Sequence, residues 1–398
     1  MNQQPLLTRI LGRNHSLFAE DFAAHHKDLS RTVRGSHLLV IGAAGSIGRA
    51  FVRQVVALHP ARLHLVDPSE NNLVELVREL RSADLDLPVD FKTFAIAMGS
   101  LPFERFLADH PPYSHTLNFA ALKHVRSERD PYTLMRLLET NVLAVDALLS
   151  HPSMRQKNFF SVSSDKAVNP QNAMGASKAF MERVMLTHSE QVQVTSSRFA
   201  NVAFSDGSLL DGFQYRLQKG QPLAAPSDVR RYFISHEEAG QLCLLACFLG
   251  ENKDIFFPKP GDLPDLITFS EIATLFLQEK GYQAKNFSTA EAARAFAAQR
   301  DPKSPEWPCH FAPSDTTGEK PFEEFYTQQE RVNEKRFKKI GLTSPPLPDP
   351  DQVRHALKQL HHIQTSPQWS RQEMLFVLQS VVPELLHGEK NRDLDQKM

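Results

Sequence analysis

Cysteine is scarce in this chain. Three thiols in 398 residues, Cys243, Cys247 and Cys309, cannot build a disulfide framework and point to a reducing compartment. Cys243 and Cys247 sit four apart in the apolar helical run LCLLACFL, which reads as core packing rather than a metal site. An excess of either charge is missing too. The 45 basic and 46 acidic residues leave a formal net charge of −1, and no basic block offers nucleic acid an electrostatic footprint. No run approaches the ~20 apolar residues of a membrane span. The first thirty residues carry Arg9, Arg13, Glu20 and Asp21 and contain no apolar signal-peptide core. Together these absences describe a cytoplasmic chain with no nucleic-acid partner and no membrane insertion.

What is present is enough for a large core: 41% hydrophobic residues in a chain long enough for a big α/β domain and a smaller companion. Residues 1–34 read as a helical leader. HLLVIGAAG (37–45), RLHLVD (62–67), FKTFAIAM (91–98), HTLNFAA (115–121), NFFSVSS (158–164) and VQVTSSRFA (192–200) are strand-like runs. Between them lie helical segments, among them residues 132–150 with Leu134, Leu137, Leu138 and Val145 on one face. Strands alternating with helices predict a Rossmann-type, doubly wound parallel sheet over 35–200. Residues 201–342 are richer in loops and read as a substrate-binding region with returning Rossmann elements. TSPPLPDPD (343–351) reads as a linker. Beyond it, Ser370 and Glu373 fit a capping box opening an apolar helix through Leu386. That helix is expected to serve self-association or to pack on its own domain.

The turn GAAGSIG places Gly42, Gly45 and Gly48 between a strand and a helix. Gly42 permits the tight turn, Gly45 lets a pyrophosphate approach the backbone, and Gly48 lets helix and strand pack closely. Ser46 and Ile47 open the helix, whose N-terminal N–H groups suit phosphates. Asp67 ends the next strand and suits the two ribose hydroxyls of an adenosine. It would repel a 2′-phosphate, so the cofactor expected is NAD rather than NADP.

Ser163, Ser164, Asp165 and Lys166 follow a strand's carboxyl end, where open α/β sheets bind ligands. An adjacent Asp and Lys can be an ordinary surface ion pair, which contributes little; the position favours chemistry instead. Twelve residues later comes Lys178, preceded at −4 by Met174. A thioether cannot take a proton from an alcohol, so either this is not an active site or the acid–base work has moved to other residues.

The run SSDKAVNPQNAMGASKAFME (163–182) resembles the signature of the nucleotide-sugar 4,6-dehydratases of bacterial polysaccharide biosynthesis, a branch of the extended short-chain dehydrogenases. AALKHV (120–125), TNVLAVDALL (140–149), RFANV (198–202), DGS (206–208), RRYFIS (230–235) and GEKPFEEF (318–325) match in the same order. Several members of that branch carry methionine where most short-chain dehydrogenases carry tyrosine. The resemblance implies dehydration of UDP-N-acetylglucosamine: carbon 4 is oxidised by NAD, the proton at carbon 5 is removed, the hydroxyl of carbon 6 departs, and the hydride returns to carbon 6. By position it implies Asp165 as general acid, Lys166 as base and Lys178 as holder of the nicotinamide ribose; it leaves open which group takes the 4-hydroxyl proton, for which we expect Ser163 or Ser164 relaying to water. It places Ala120 with the cofactor. For the UDP-sugar it implies Asn201, Ser208, Arg231 and Glu319. Lys123 and His124 either join these or are solvated. An acid that holds a proton beside an amine that must at times be neutral asks for a closed, dry pocket.

The sequence also departs from the branch, with Asn118, Phe119, Ala200 and Phe204 at positions where other residues are usual. A bulky Phe204 is expected to reshape the sugar subsite, and the missing tyrosine leans towards retention at carbon 5. Two rivals stand beside this reading. A nucleotide-sugar 4-epimerase or 4-dehydrogenase would not need Asp165 and Lys166 and usually wants a tyrosine at 174. A non-catalytic NAD-binding protein would not need Asp165, Lys166 and Lys178 together. A homo-oligomer is expected.

Overall fold

Six adjacent parallel strands make up one side of a nine-stranded sheet. They are β1 (His37–Ile41), β2 (Arg62–Val66), β3 (Asp90–Phe94), β4 (His115–Asn118), β5 (Asn158–Val162) and β6 (Gln193–Ser197). The computed structural model describes residues 4–83, 85–263, 266–314, 320, 322 and 324–386. From one edge the order runs β3, β2, β1, β4, β5, β6, then the strands Ile255–Pro258, Ile340–Ser344 and Arg331–Asn333. Ile255–Pro258 continues the parallel set and the last two are antiparallel. Because β1 leads outward to β2 and β3 while β4 to β6 run the other way, the chain reverses its winding between β1 and β4. A crevice opens there at the strands' carboxyl ends.

The inner strands are buried on both faces, as parallel sheets are. One face carries α2 (Ala19–Val33), α3 (Ser46–Val56) and α4 (Glu70–Ser82), with Phe51, Val55, Leu73 and Leu76 in a single cluster. Cys243 and Cys247 lie in that cluster too, on the helix His236–Leu249, and burial pushes both thiols up. The other face carries α5 (Leu101–Asp109), α6 (Pro131–Leu138), α7 (Ala144–Ser150) and α8 (Ala173–Thr187). α6 and α7 form the helical run expected over 132–150, interrupted by a π-helical turn at Glu139–Leu143. Such turns insert a residue and re-aim the side chains around it. Leu134, Leu137, Leu138 and Val145 are all buried.

The leader consists of α1 (Gln4–Leu11) and α2. Thr343 and Ser344 belong to the strand Ile340–Ser344, so the proline-rich connection is shorter than the sequence implied. It leads into the first of the helices expected within 343–398, Pro350–Thr365, capped by Asp349. Ser370 caps the next helix by accepting from the Glu373 N–H, and that helix ends at Val381 rather than Leu386. The two helices form a hairpin that buries Leu357, Leu360, Met374 and Leu378 in the cluster around α8. Arg371 donates to the Glu128 carbonyl at 2.6 Å, Arg183 to the Val381 carbonyl at 2.6 Å, and the Leu386 N–H to the Pro170 carbonyl at 3.0 Å. The tail therefore packs on its own domain. Among the described residues no helix is long and apolar enough to cross a membrane.

Candidate active site

The glycine turn follows β1 at the crevice. Gly42 has φ +72°, and a Cβ there would lie 2.4 Å from the Ala120 nitrogen. A Cβ on Gly48 would lie 2.1 Å from the Gly42 carbonyl oxygen. Both positions exclude any side chain. Gly45 differs: a Cβ would meet nothing nearer than 3.6 Å, again the Gly42 oxygen. It caps α3 without a side-chain acceptor, close packing does not demand a bare Cα there, and Ser46 and Ile47 of the helix's first turn line the crevice. Asp67 is buried at the end of β2. Its carboxylate accepts from the Ala44 N–H at 3.1 Å and the Ser69 N–H at 2.9 Å, which fixes it beside the turn.

Two cavities meet at this turn and share Gly42, Gly45, Phe119 and Ala121 in their walls. The first, about 420 Å³, contains Ser46, Ile47, Ser164, Asp165, Lys166, Met174, Lys178, Asn201 and Ser208. The second, about 650 Å³, contains Asp67, Ala97, Met98 and Ala120. A dinucleotide with its pyrophosphate at Gly45 fits this division, one nucleoside half on each side.

Ser164 caps a single 3-10 turn, Asp165–Ala167, that follows β5. Its hydroxyl donates to Asp165 Oδ1 at 2.8 Å and accepts from the Lys166 N–H at 3.2 Å. Lys166 Nζ lies 3.1 Å from Asp165 Oδ1 and 3.4 Å from Asn201 Oδ1. The Asp165 side chain is 4% exposed and that of Lys166 27%, so the acid is closed off while the amine reaches the cavity. The turn presses on the start of α8: a Cβ on Gly175 would lie 2.3 Å from the Lys166 carbonyl oxygen. The glycine of the MGASK run is thus required by close backbone approach.

α8 is capped by Asn172, which accepts from the Gly175 N–H at 2.9 Å. One turn apart on it, Met174 and Lys178 both face the first cavity. Lys178 is buried and donates to the Val162 carbonyl at 2.9 Å. Burial pulls its ammonium down to about 8, against a smaller upward pull from Glu182.

The two serines separate. Ser163 donates to Glu182 at 2.5 Å. Glu182 and Glu330 flank the buried Arg198 at 2.6 and 2.8 Å, and the Thr343 hydroxyl donates to Glu330 at 2.8 Å. Ser163 is therefore tied into a structural network, and Ser164 is the hydroxyl in contact with the acid.

The remaining candidates are placed unevenly. Lys123 is an exposed residue of the cavity rim and donates to the Ser205 hydroxyl at 3.3 Å. His124 also lines the cavity, and burial pushes its imidazole down. Arg231 is buried and outside that wall; it donates to the carbonyls of Arg230 at 2.8 Å and Lys320 at 2.9 Å. Glu319 lies outside the described residues. Phe204 does not line the cavity: with φ +58° it turns away and packs against the cluster of Leu210 and Phe213. Phe119 does line it, with Phe199, Phe233 and Phe269.

Asn141 has a role its motif alone did not reveal. Set in the π-helical turn, it accepts from the Leu122 N–H, donates to the Leu122 carbonyl and donates to the Ser177 hydroxyl, each at 2.9 Å. It ties the exit of β4 to α8.

Residues 38–345 match the family described as Polysaccharide biosynthesis protein. The capsular polysaccharide biosynthesis protein CapD of Staphylococcus aureus is 32% identical over 249 residues, 60% of this chain and 41% of CapD. The chain thus spans less than half of that relative. Among solved structures, Pen from Bacillus thuringiensis aligns with TM-score 0.62 and 19% identity, covering 79% of this chain and 90% of Pen. The DesIV double mutant of Streptomyces venezuelae, a dTDP-glucose 4,6-dehydratase with NAD and DAU bound, aligns with TM-score 0.50 and 21% identity, covering 62% and 81%. These two share the fold: a mostly parallel, Rossmann-like sheet covered by helices. With more than half of its length matched by that family, the chain belongs to the polysaccharide biosynthesis proteins.

Proposed function

We propose that the protein is an NAD-dependent 4,6-dehydratase of a UDP-N-acetylhexosamine, UDP-N-acetylglucosamine first among them. The observation that carries this is the contact between Asp165 and Lys166 on the wall that also holds Lys178 and the glycine turn. NAD, when bound, takes hydrogen from carbon 4 and gives it back at carbon 6, so it is not consumed.

The chain's residues handle the protons. The ketone at carbon 4 acidifies carbon 5, and Lys166 Nζ takes that proton. Asp165 gives its proton to the hydroxyl of carbon 6, the C6–O bond breaks and water leaves. The Lys166 ammonium returns a proton to carbon 5 as carbon 6 receives its hydrogen, and Asp165 is reloaded through Ser164 by the 4-hydroxyl proton released in the next turnover, which resets both. Ser164 holds the acid's Oδ1 and is the relay for the 4-hydroxyl proton. Met174 occupies the place of a phenol and adds no competing acid. Lys178 holds the nicotinamide ribose.

Residues 35–200 serve the cofactor and 201–342 the sugar nucleotide, with Asn201 and Ser208 on the cavity wall. The name of DesIV, a 4,6-dehydratase with NAD bound, supports the reading through a shared fold. The test is mass spectrometry after incubation with UDP-N-acetylglucosamine and NAD. Loss of one water is expected. Unchanged mass with a 4-epimer, NAD consumed in proportion to sugar, or no turnover would each overturn the proposal.

A further inference from the structure

The helix Pro350–Thr365 lies beyond the residues that match the family, 38–345. It nevertheless walls the second cavity at the glycine turn, through His361 and Gln364. Gln364 Nε2 donates to Glu139 Oε1 at 2.7 Å, and its Oε1 faces His361 Nδ1 at 3.3 Å. Glu139 itself opens the π-helical turn that carries Asn141. A row of three side chains from two distant parts of the chain thus stands in the wall of the cavity that also holds Asp67, Ala97 and Met98.

The division of the crevice says what would lie there. Lys178, Asp165 and Lys166 claim the first cavity for the nicotinamide and the sugar. The glycine turn takes the pyrophosphate, and Asp67 lies on the far side of it. The adenosine half then falls in the second cavity, its ribose at Asp67 and its base beyond. A purine edge carries both donors and acceptors, and an amide, an imidazole and a carboxylate can meet both kinds.

We infer that the C-terminal helix is part of the dinucleotide site, with His361 and Gln364 acting as specificity residues for the adenine ring and Glu139 anchoring them. This rests on the cofactor reading above. The hairpin is held in place independently of any ligand, by its apolar face against α8 and by Arg371 and Arg183. The site is therefore preformed, and binding need not order the helix.

The test is calorimetric titration of the full chain with NAD⁺, ADP-ribose and UDP. ADP-ribose carries the adenosine half and no nicotinamide. The variants are the double substitution His361→Ala with Gln364→Ala, and Gln364→Glu, which sets a carboxylate against Glu139. His361 is exposed and Gln364 half-buried, so neither change opens the core. Both variants are expected to weaken NAD⁺ and ADP-ribose alike, by about tenfold, the loss of one or two hydrogen bonds, and to leave UDP unchanged. If the parent binds NAD⁺ and ADP-ribose but the variants match it within about twofold, this inference fails and the proposed function stands. If the parent binds neither nucleotide, both fail.

Discussion

Lys166 Nζ and the Ser164 hydroxyl converge on one oxygen, Asp165 Oδ1, at 3.1 and 2.8 Å. Two donors on a buried carboxyl oxygen leave its partner oxygen as the route for a proton to the departing hydroxyl. Asp165→Asn keeps the shape and removes the proton donor. It is expected to lower kcat by about 10²–10⁴-fold, with NAD⁺ affinity changed less than about twofold. Steady-state kinetics beside a cofactor titration check this.

The neighbouring serines should behave differently. Ser163 serves the buried Glu182–Arg198–Glu330 group, so Ser163→Ala is expected to cost about 1–3 kcal/mol of stability with kcat within about threefold of the parent. Ser164→Ala is expected to lower kcat by on the order of 10²-fold and to leave the urea midpoint nearly unchanged. Equal kinetic losses at the two positions would remove the assignment of Ser164.

Burial holds Lys178 at about 8, below the ordinary 10.5 of a lysine. A depressed lysine binds its proton less tightly folded than unfolded. The burial cost is therefore complete below pH 8 and is relieved as pH rises towards 10.5. Lys178→Met is expected to abolish turnover while raising stability at pH 7 by roughly 1–3 kcal/mol, a gain that vanishes near pH 10.5. Denaturant melts of both proteins across that range provide the measurement.

The three glycines of the turn should separate fold from ligand. Gly42→Ala and Gly48→Ala drive a Cβ into backbone and are expected to unfold or severely destabilise the protein. Gly45→Ala meets no such obstacle. It should melt within about 1 kcal/mol of the parent and bind NAD⁺ at least about tenfold more weakly.

Much of this site could be read from short stretches. The glycine turn, Asp67 and the Ser164–Asp165–Lys166 run are each local, and their places in the crevice walls follow from position relative to a strand end. What eluded the sequence is long-range or conformational. Arg198 finds Glu330 across 132 positions, and Gln364 finds Glu139 across 225; no spacing rule connects such pairs. Asn141 acquires its three hydrogen bonds because the helix takes a π turn there, and periodicity alone read an unbroken helix. Phe204 looked like an obstruction in the sugar site, but a positive φ turns it into the apolar cluster behind. Arg231, matched by motif to a diphosphate, also donates to the carbonyls of Arg230 and Lys320, the second across 89 positions.

The central claim is that proton transfer runs through the adjacent acid and amine. Turnover of UDP-N-acetylglucosamine in D₂O, followed by mass spectrometry and NMR of the sugar, tests it most directly. The parent is expected to release a 4-keto-6-deoxy product that has lost one water and carries deuterium at carbon 5. Lys166→Ala, folded and binding NAD⁺ like the parent, is expected to place no deuterium at carbon 5 and release no such product. Deuterium at carbon 5 at the parental rate in that variant would contradict the account.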